Sequence, residues 1–297
     1  MCGIIGILSR PSTRPVPTAA SILEGLDEAL ARRDDVAAMT DAVARVDAAL
    51  RGVPGLLAMV DHHELLASIT ARLDQLDAVA AELDARLADP AFDLDQLEAA
   101  SQAAIRLRDV LWAVRRDRLG TARAVAALAG GGAPVSALAG YLAIQQAFSA
   151  IDYMEVRGRD SAGINVFVAD HGLDPNEPSV AALLERRADD PLYQNGAAYL
   201  TDSCLSVVYK AAAEIGELGD NTAAMRAAVT SDALLRRALS SPDAHVTVLG
   251  HTRWASVGII SEPNAHPVNS AEVDPNGDAP FIVGVLNGDV DNHADLK

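Results

Sequence analysis

The sequence predicts an α+β protein in which a long helical region follows the first strand. Three observations lead to this class. Residues 4–8 form a short apolar run that suits a buried strand. Residues 18–128 are rich in Ala, Leu, Asp and Arg and repeat apolar side chains every three or four positions, as amphipathic helices do. Beyond them, the β-branched segments 246–249 and 281–286 indicate further strands.

The helical region contains three apolar stripes, at 36–50, 69–87 and 97–114. The sequence GVPG at 52–55 predicts the end of the first helix, and Asp89-Pro90 predicts the end of the second. Short connections between helices of similar length favour antiparallel neighbours, so a hairpin or small bundle is expected over 18–129. A stripe left exposed on this insertion would be a docking surface for a protein partner or a second copy of the chain.

The second domain is predicted to comprise 1–10 and 133–297. The sequence GGGAP at 130–134 cannot continue a helix and separates the insertion from a predicted helix over 135–154. A polar turn then leads into a strand from about 161. Alternation of side-chain character along 203–210 predicts another strand, and residues 222–239 have a helical pattern.

Composition excludes several classes of protein. The chain has 297 residues and a formal charge of −17, which argues against nucleic acid or an anionic membrane as a partner. Two cysteines do not suggest a disulfide framework, and no spacing suggests a metal or cofactor site, so none is predicted. The N-terminus lacks the features of a secretory signal and no apolar run has the length of a membrane span, so a cytoplasmic location is expected.

The chemistry of the chain start is the most informative feature. Removal of Met1 would give Cys2 both a thiol and a free α-amine. Near neutral pH this amine can take the thiol proton, directly or through a water, which is how an N-terminal nucleophile is activated. The alternative is a processed terminus whose cysteine has no function, and distant segments decide between the two.

Three such segments are RGRDSAG at 157–163, GHTRWAS at 250–256 with NAHP at 264–267, and NG at 287–288 with NH at 292–293. In this order behind MCGI, they resemble the class II glutamine amidotransferases, most closely the glutaminase domain of glucosamine-6-phosphate synthases. The resemblance covers 1–8 and about 135–297. It implies the four-layer αββα sandwich of N-terminal nucleophile hydrolases, C-terminally incomplete here, with the helical region as an insertion.

The resemblance also implies a role for each matched residue. Cys2 would attack the side-chain amide of L-glutamine, and Asn287 with Gly288 would donate to the oxyanion. The other matched residues would bind glutamine (Arg253, Trp254, Ser256 and His266) or support the N-terminal cysteine (Arg157 and Gly158). Each has a plainer reading: Arg253 as a structural ion-pair partner, Asn287-Gly288 as a tight turn, and His266 as a loop residue.

Three positions depart from the family pattern, namely Arg159, Val257 and Leu286. The acidic residue that binds the substrate α-amino group in the family is expected beyond Lys297, so we expect this chain to bind glutamine poorly by itself. The ammonia would pass to a sugar-phosphate acceptor on downstream domains outside this sequence. The alternative function is a catalytically inactive scaffold whose helical insertion binds a protein partner.

Overall fold

The computed structural model describes residues 2–188, 197–212, 217–255, 259–270, 280–288 and 292. The chain divides into two compact units: Met1–Arg10 with Ala127–Lys297, and Pro11–Ala126. The first unit contains antiparallel strands and helices, and the second contains helices. The α+β class is therefore confirmed.

The second unit is built from helices with well-defined starts. Thr18 and Asp35 precede the first two helices, and each side chain accepts a hydrogen bond from the backbone N–H three residues on, which stabilises the helix start. The helical segments are α1 Ala19–Ala31, α2 Val36–Ala49, α3 Gly52–Met59, α4 His63–Leu87, α5 Leu94–Trp112, a π-helical stretch Ala113–Gly120, and α6 Thr121–Ala129, which crosses into the other unit.

Four of these helices form a bundle. Helix α1 contacts α2 and α4, and α5 contacts the same two helices. The predicted stripes supply its core, with Met39, Val43, Ile69, Leu73 and Leu107 fully buried. The segment GVPG does end α2 as predicted, but it also begins α3, because a proline in the first turn of a helix removes no helical hydrogen bond.

The first unit contains a five-stranded antiparallel sheet and a separate strand pair. Its elements are β1 Gly3–Leu8, α7 Val135–Met154, β2 Ser161–Ala169, α8 Pro178–Ala188, β3 Ala198–Leu200, β4 Cys204–Ala211, α9 Asp220–Ser231, α10 Ala233–Leu239, β5 His245–Arg253, β6 Val268–Asn269 and β7 Val283–Gly284. The sheet order is β1-β5-β2-β4-β3, and β6 pairs with β7. The first strand is thereby next to a strand 240 residues further along the chain.

The two faces of the sheet have different neighbours. Helix α7 packs on β1, β2 and β5, and α9 packs on β2 and β4. A side chain at Gly250 would meet Ile151 of α7, so Gly250 faces the helices. Gly163 points to the opposite face, because Gly250 is paired with the next residue, Ile164. A Cβ at Gly163 would lie 2.3 Å from the His266 carbonyl oxygen, so the segment that leads to β6 covers this second face.

Two predicted elements differ from the structure. The helix predicted over 222–239 is divided at Asp232, whose carboxylate accepts from the Leu235 N–H and starts α10. The strand predicted over 281–286 is limited to Val283–Gly284, since only these residues have partners in β6. Among the described residues, no helix combines the length and apolar character needed to cross a membrane.

Candidate functional site

The sheet holds residue 2 beside the end of β5. Gly3 is paired with Thr252, and the Gly3 N–H donates to Thr252 Oγ1 at 3.0 Å. A Cβ on Gly3 would lie 2.4 Å from Met154 Sδ and 2.9 Å from Thr252 Oγ1. Glycine is therefore required for this close approach, which brings the Cys2 backbone against β5 and the end of α7.

Cys2 contacts two of the distant predicted segments. Its thiol donates to the Trp254 carbonyl oxygen at an S···O distance of 4.0 Å, a weak hydrogen bond. The side-chain amide of Asn287 donates to the Cys2 carbonyl oxygen at 3.0 Å. The start of the chain, the end of β5 and the Asn-Gly segment consequently meet at Cys2.

Asp160 fixes the backbone on both sides of Trp254. Its N–H donates to the Arg253 carbonyl oxygen at 3.1 Å, and its Oδ2 accepts from the Ala255 N–H at 2.6 Å. Trp254 itself is 58% exposed, and the contacts of Asp160 are to the backbone on either side of it. A charged acceptor gives a stronger hydrogen bond than a neutral one, so the Asp160 carboxylate holds this backbone firmly beside Cys2.

The turn that carries Asp160 is anchored to α9. Glu155 accepts from the Gly219 N–H at 2.7 Å, and the Arg159 carbonyl oxygen accepts from Asn221 Nδ2 at 2.9 Å. Burial raises the pKa of Glu155 because it penalises the carboxylate. Arg157 and Gly158, predicted to support Cys2, lie on this turn.

An open cleft of about 480 Å³ borders both Cys2 and the turn that contains Arg157. Its lining residues are Cys2, Gly3, Tyr153, Met154, Val156 and Arg157. Arg157 is therefore next to the same cleft as the nucleophile candidate. The tyrosine and valine side chains are mostly exposed, so the cleft has an apolar rim with one cationic residue.

Arg253 occupies the last position of β5 and turns towards the following loop. Its Nη1 donates to the Ile259 carbonyl oxygen at 3.2 Å, and Asn264 Nδ2 donates to the same oxygen at 3.1 Å. Arg253 therefore contacts the segment that follows β5 in the chain.

Two histidines hold the residue before Asn287. His251 Nε2 donates to the Leu286 carbonyl oxygen at 3.0 Å, and the Leu286 N–H donates to His266 Nδ1 at 3.2 Å. The two imidazole rings are tilted against each other with centroids 4.7 Å apart. Burial and the neighbouring His266 lower the pKa of His251 to about 4, and burial with the nearby Lys210 lowers that of His266.

The structure thus brings Cys2, Asn287 and the backbone of Trp254 into contact, with Arg253, His266 and Arg157 around them. Ser256 and Val257 lie outside the described residues. Sequence reasoning assigned no role to His251 or Asp160. Both lie inside the quoted segments GHTRWAS and RGRDSAG, so motif membership was a signal that could have found them.

No protein-family model, curated protein or solved structure matches this chain significantly. Across the described residues, no group of three or more His, Cys, Asp and Glu side chains could hold a metal ion. The site is therefore assessed from its own geometry.

Proposed function

We propose that this chain is a glutamine amidotransferase domain of the N-terminal nucleophile type, which hydrolyses the side-chain amide of L-glutamine through Cys2. The observation that carries the proposal is the hydrogen bond between the Asn287 amide and the Cys2 carbonyl, which joins residues 285 positions apart. The four-layer αββα sandwich belongs to the same proposal. It is supported by helices on one face of the five-stranded sheet and by the His266 segment, which leads to β6, on the other.

The chemistry requires removal of Met1. The free α-amine of Cys2 then takes the thiol proton, and the sulfur attacks the amide carbon of glutamine. When the C–N bond breaks, the α-ammonium returns the proton to the departing nitrogen, and ammonia leaves a thioester on Cys2. Water hydrolyses this thioester to release glutamate and the free thiol.

Asn287 and the Gly288 N–H would stabilise the oxyanion formed in each step. The amide nitrogen of Asn287 carries two hydrogens, so one can hold the Cys2 carbonyl while the other donates to the substrate. The bond to Cys2 would then fix the direction of the second N–H. Donors held in place before the reaction are the effective ones, because no reorganisation is needed as the charge develops.

Arg253 would bind the α-carboxylate of glutamine. Its guanidinium suits a carboxylate because it can donate two parallel hydrogen bonds. Trp254, Ser256 and His266 would complete the glutamine pocket. The ammonia would pass to a sugar-phosphate acceptor on another domain. This part of the proposal is supported by the sequences GHTRWAS at 250–256 and NAHP at 264–267, which resemble the glucosamine-6-phosphate synthase pattern.

Covalent labelling of the full chain tests this function. A diazoketone analogue of L-glutamine should modify Cys2, and mass mapping should show no adduct on Cys204. Protection should require a high concentration of L-glutamine, since the chain is expected to bind it weakly. The matched controls are Cys2→Ser, which should abolish labelling, and Cys204→Ser, which should not. Intact mass should also show that Met1 is absent. Labelling of Cys204 alone, or of neither cysteine, would contradict the proposal and favour an inactive scaffold whose helical insertion binds a protein.

A further inference from the structure

The peptide groups around Leu286 are held from both directions by two histidines, the buried His251 and the half-buried His266. The Leu286 carbonyl accepts from His251 Nε2, and the Leu286 N–H donates to His266 Nδ1. This carbonyl belongs to the peptide plane that also carries the Asn287 N–H. Rotation of either plane would move the Asn287 side chain away from the Cys2 carbonyl, with which it is bonded at 3.0 Å.

The two contacts require different tautomers. His251 must carry its proton on Nε2 in order to donate, and its Nδ1 is then unprotonated, which agrees with the finding that this buried atom has no partner among the described residues. His266 must keep Nδ1 unprotonated in order to accept, so its proton is on Nε2. His266 is therefore neutral when Leu286 is held, whereas the contact of His251 requires only that its Nε2 carry a proton.

The surroundings keep the two rings neutral. His251 is 1% exposed, and the cationic groups that face the pair are Arg253 at the end of β5 and Lys210 on β4. A second positive charge on either ring would be desolvated and repelled by these cations. Protonation of His266 would also convert Nδ1 into a donor that points at the donor of Leu286.

We propose that His251 and His266 are positioning residues that set the Asn287 amide against Cys2 by holding the Leu286 backbone, and that His266 does so only while its Nδ1 is unprotonated. The inference rests on the proposed function for its catalytic consequence. Its structural part, the immobilised Leu286 backbone, can be measured whether or not the chain hydrolyses glutamine.

Paired substitutions separate a hydrogen-bonding role from simple packing. His266→Asn places an oxygen acceptor near the position of Nδ1 and cannot be protonated, whereas His266→Leu removes the acceptor. His251→Gln keeps an N–H donor near Nε2, whereas His251→Leu removes it. His171 offers a control, since it accepts from the Leu173 N–H and bonds the Thr201 carbonyl in another loop, away from Cys2.

Two measurements on the full chain test the inference. Backbone hydrogen exchange over 284–288 should accelerate in His266→Leu and His251→Leu, stay near the parent rate in His266→Asn and His251→Gln, and be unaffected by His171→Leu. Glutamine hydrolysis should lose about a hundredfold in kcat in the two leucine variants. KM should change little in His251→Leu but rise in His266→Leu, because His266 also belongs to the proposed glutamine pocket. The acid limb of the kcat profile should move to lower pH in His266→Asn.

The outcomes are distinguishable. Unchanged exchange over 284–288 in both leucine variants would overturn the inference, whatever the activity. Faster exchange in the leucine variants with kcat retained would overturn its catalytic part. If the parent chain neither hydrolyses glutamine nor reacts at Cys2, the proposed function fails, while the exchange rates still decide whether the histidines hold Leu286. Parent-like exchange rates over 284–288 in His266→Asn and His251→Gln would support the inference that the two histidines hold Leu286.

Discussion

Asn287 donates its side-chain amide to the backbone carbonyl of Cys2, at 3.0 Å and across 285 positions of sequence. This bond links the predicted nucleophile to the predicted oxyanion donor directly. The Cys2 thiol donates to the Trp254 carbonyl oxygen, so Cys2 contacts two segments that are distant from it in sequence. A site of this kind depends on long-range packing.

Asn287→Ala should lower the kcat for glutamine hydrolysis by about a hundredfold or more, because it removes one oxyanion donor. It should also free the Cys2 carbonyl. Ammonia release, measured at saturating glutamine, checks the prediction. Asn176→Ala is the control, since Asn176 bonds Asp174 within a turn and should leave the rate unchanged. An Asn287→Ala chain with the parent kcat would contradict the role of Asn287.

Gly3→Ala should destabilise the first unit, because the new methyl group would overlap Met154 and Thr252. Overpacking of this kind typically costs about 1–3 kcal/mol in unfolding free energy. Gly6→Ala on the same strand is the matched control, as a Cβ there meets no described atom within 4 Å. Urea unfolding of both variants checks the difference, and equal stability of the two would contradict the close approach at Gly3.

Acidification should destabilise the folded chain through His251. The unfolded chain takes up a proton at this histidine near its ordinary pKa of 6.5, whereas the folded chain does so only at about 4. The unfolded state binds more protons between these values, so the free energy of unfolding falls as the pH falls. A shift of this size corresponds to about 3 kcal/mol, present above pH 6.5 and lost towards pH 4.

Urea unfolding across this pH window checks the effect of His251, with His251→Gln as the comparison. Glu155 acts in the opposite sense, because its raised pKa makes the folded chain bind a proton more readily. The relevant quantity is therefore the difference between the parent and His251→Gln at each pH. A difference that does not change with pH would show that His251 is not the group responsible.

Asp47→Ala should strongly destabilise the helical unit. The Asp47 carboxylate is 3% exposed and accepts from Arg118 Nε at 2.8 Å and from Arg51 Nη2 at 2.5 Å. Removing one partner of a buried ion pair typically costs about 3–5 kcal/mol. The loss here should lie near the lower end, because Arg118 is 20% exposed and Arg51 is 63% exposed. The control is Asp27→Ala, which breaks the exposed pair with Arg72 and should change little. Urea unfolding followed by the helical circular dichroism signal would measure the stability of both variants.

The elements that could be predicted from the sequence are long and strongly patterned. Helix α7 was expected over 135–154 and is Val135–Met154, because Pro134 defines its start and an uninterrupted apolar segment follows. Strands β3 and β6 were not predicted. Each has two or three residues and exists only through pairing with a distant partner, for which a short segment carries no periodic signal.

The site was predictable to a similar degree. Ordered motifs indicated that Cys2, Arg253 and Asn287 share a site, and the structure places Asn287 on Cys2. The contacts that hold these residues were not predictable, because the bonds of Asp160 around Trp254 and of His251 and His266 around Leu286 depend on the fold of the loops. The roles of Cys2, Asn287 and Gly288 in hydrolysis remain predictions.

The order in which the chain is synthesised gives the bond between Cys2 and Asn287 a further consequence. At about 5–20 residues per second, a ribosome needs about 15–60 s to pass from one codon to the other. Strand β1 likewise cannot pair until β5, which contains Thr252, the partner of Gly3, has been synthesised. The thiol therefore leaves the ribosome long before its amide partner exists, and a message truncated before codon 287 would yield a cysteine with no assembled site around it.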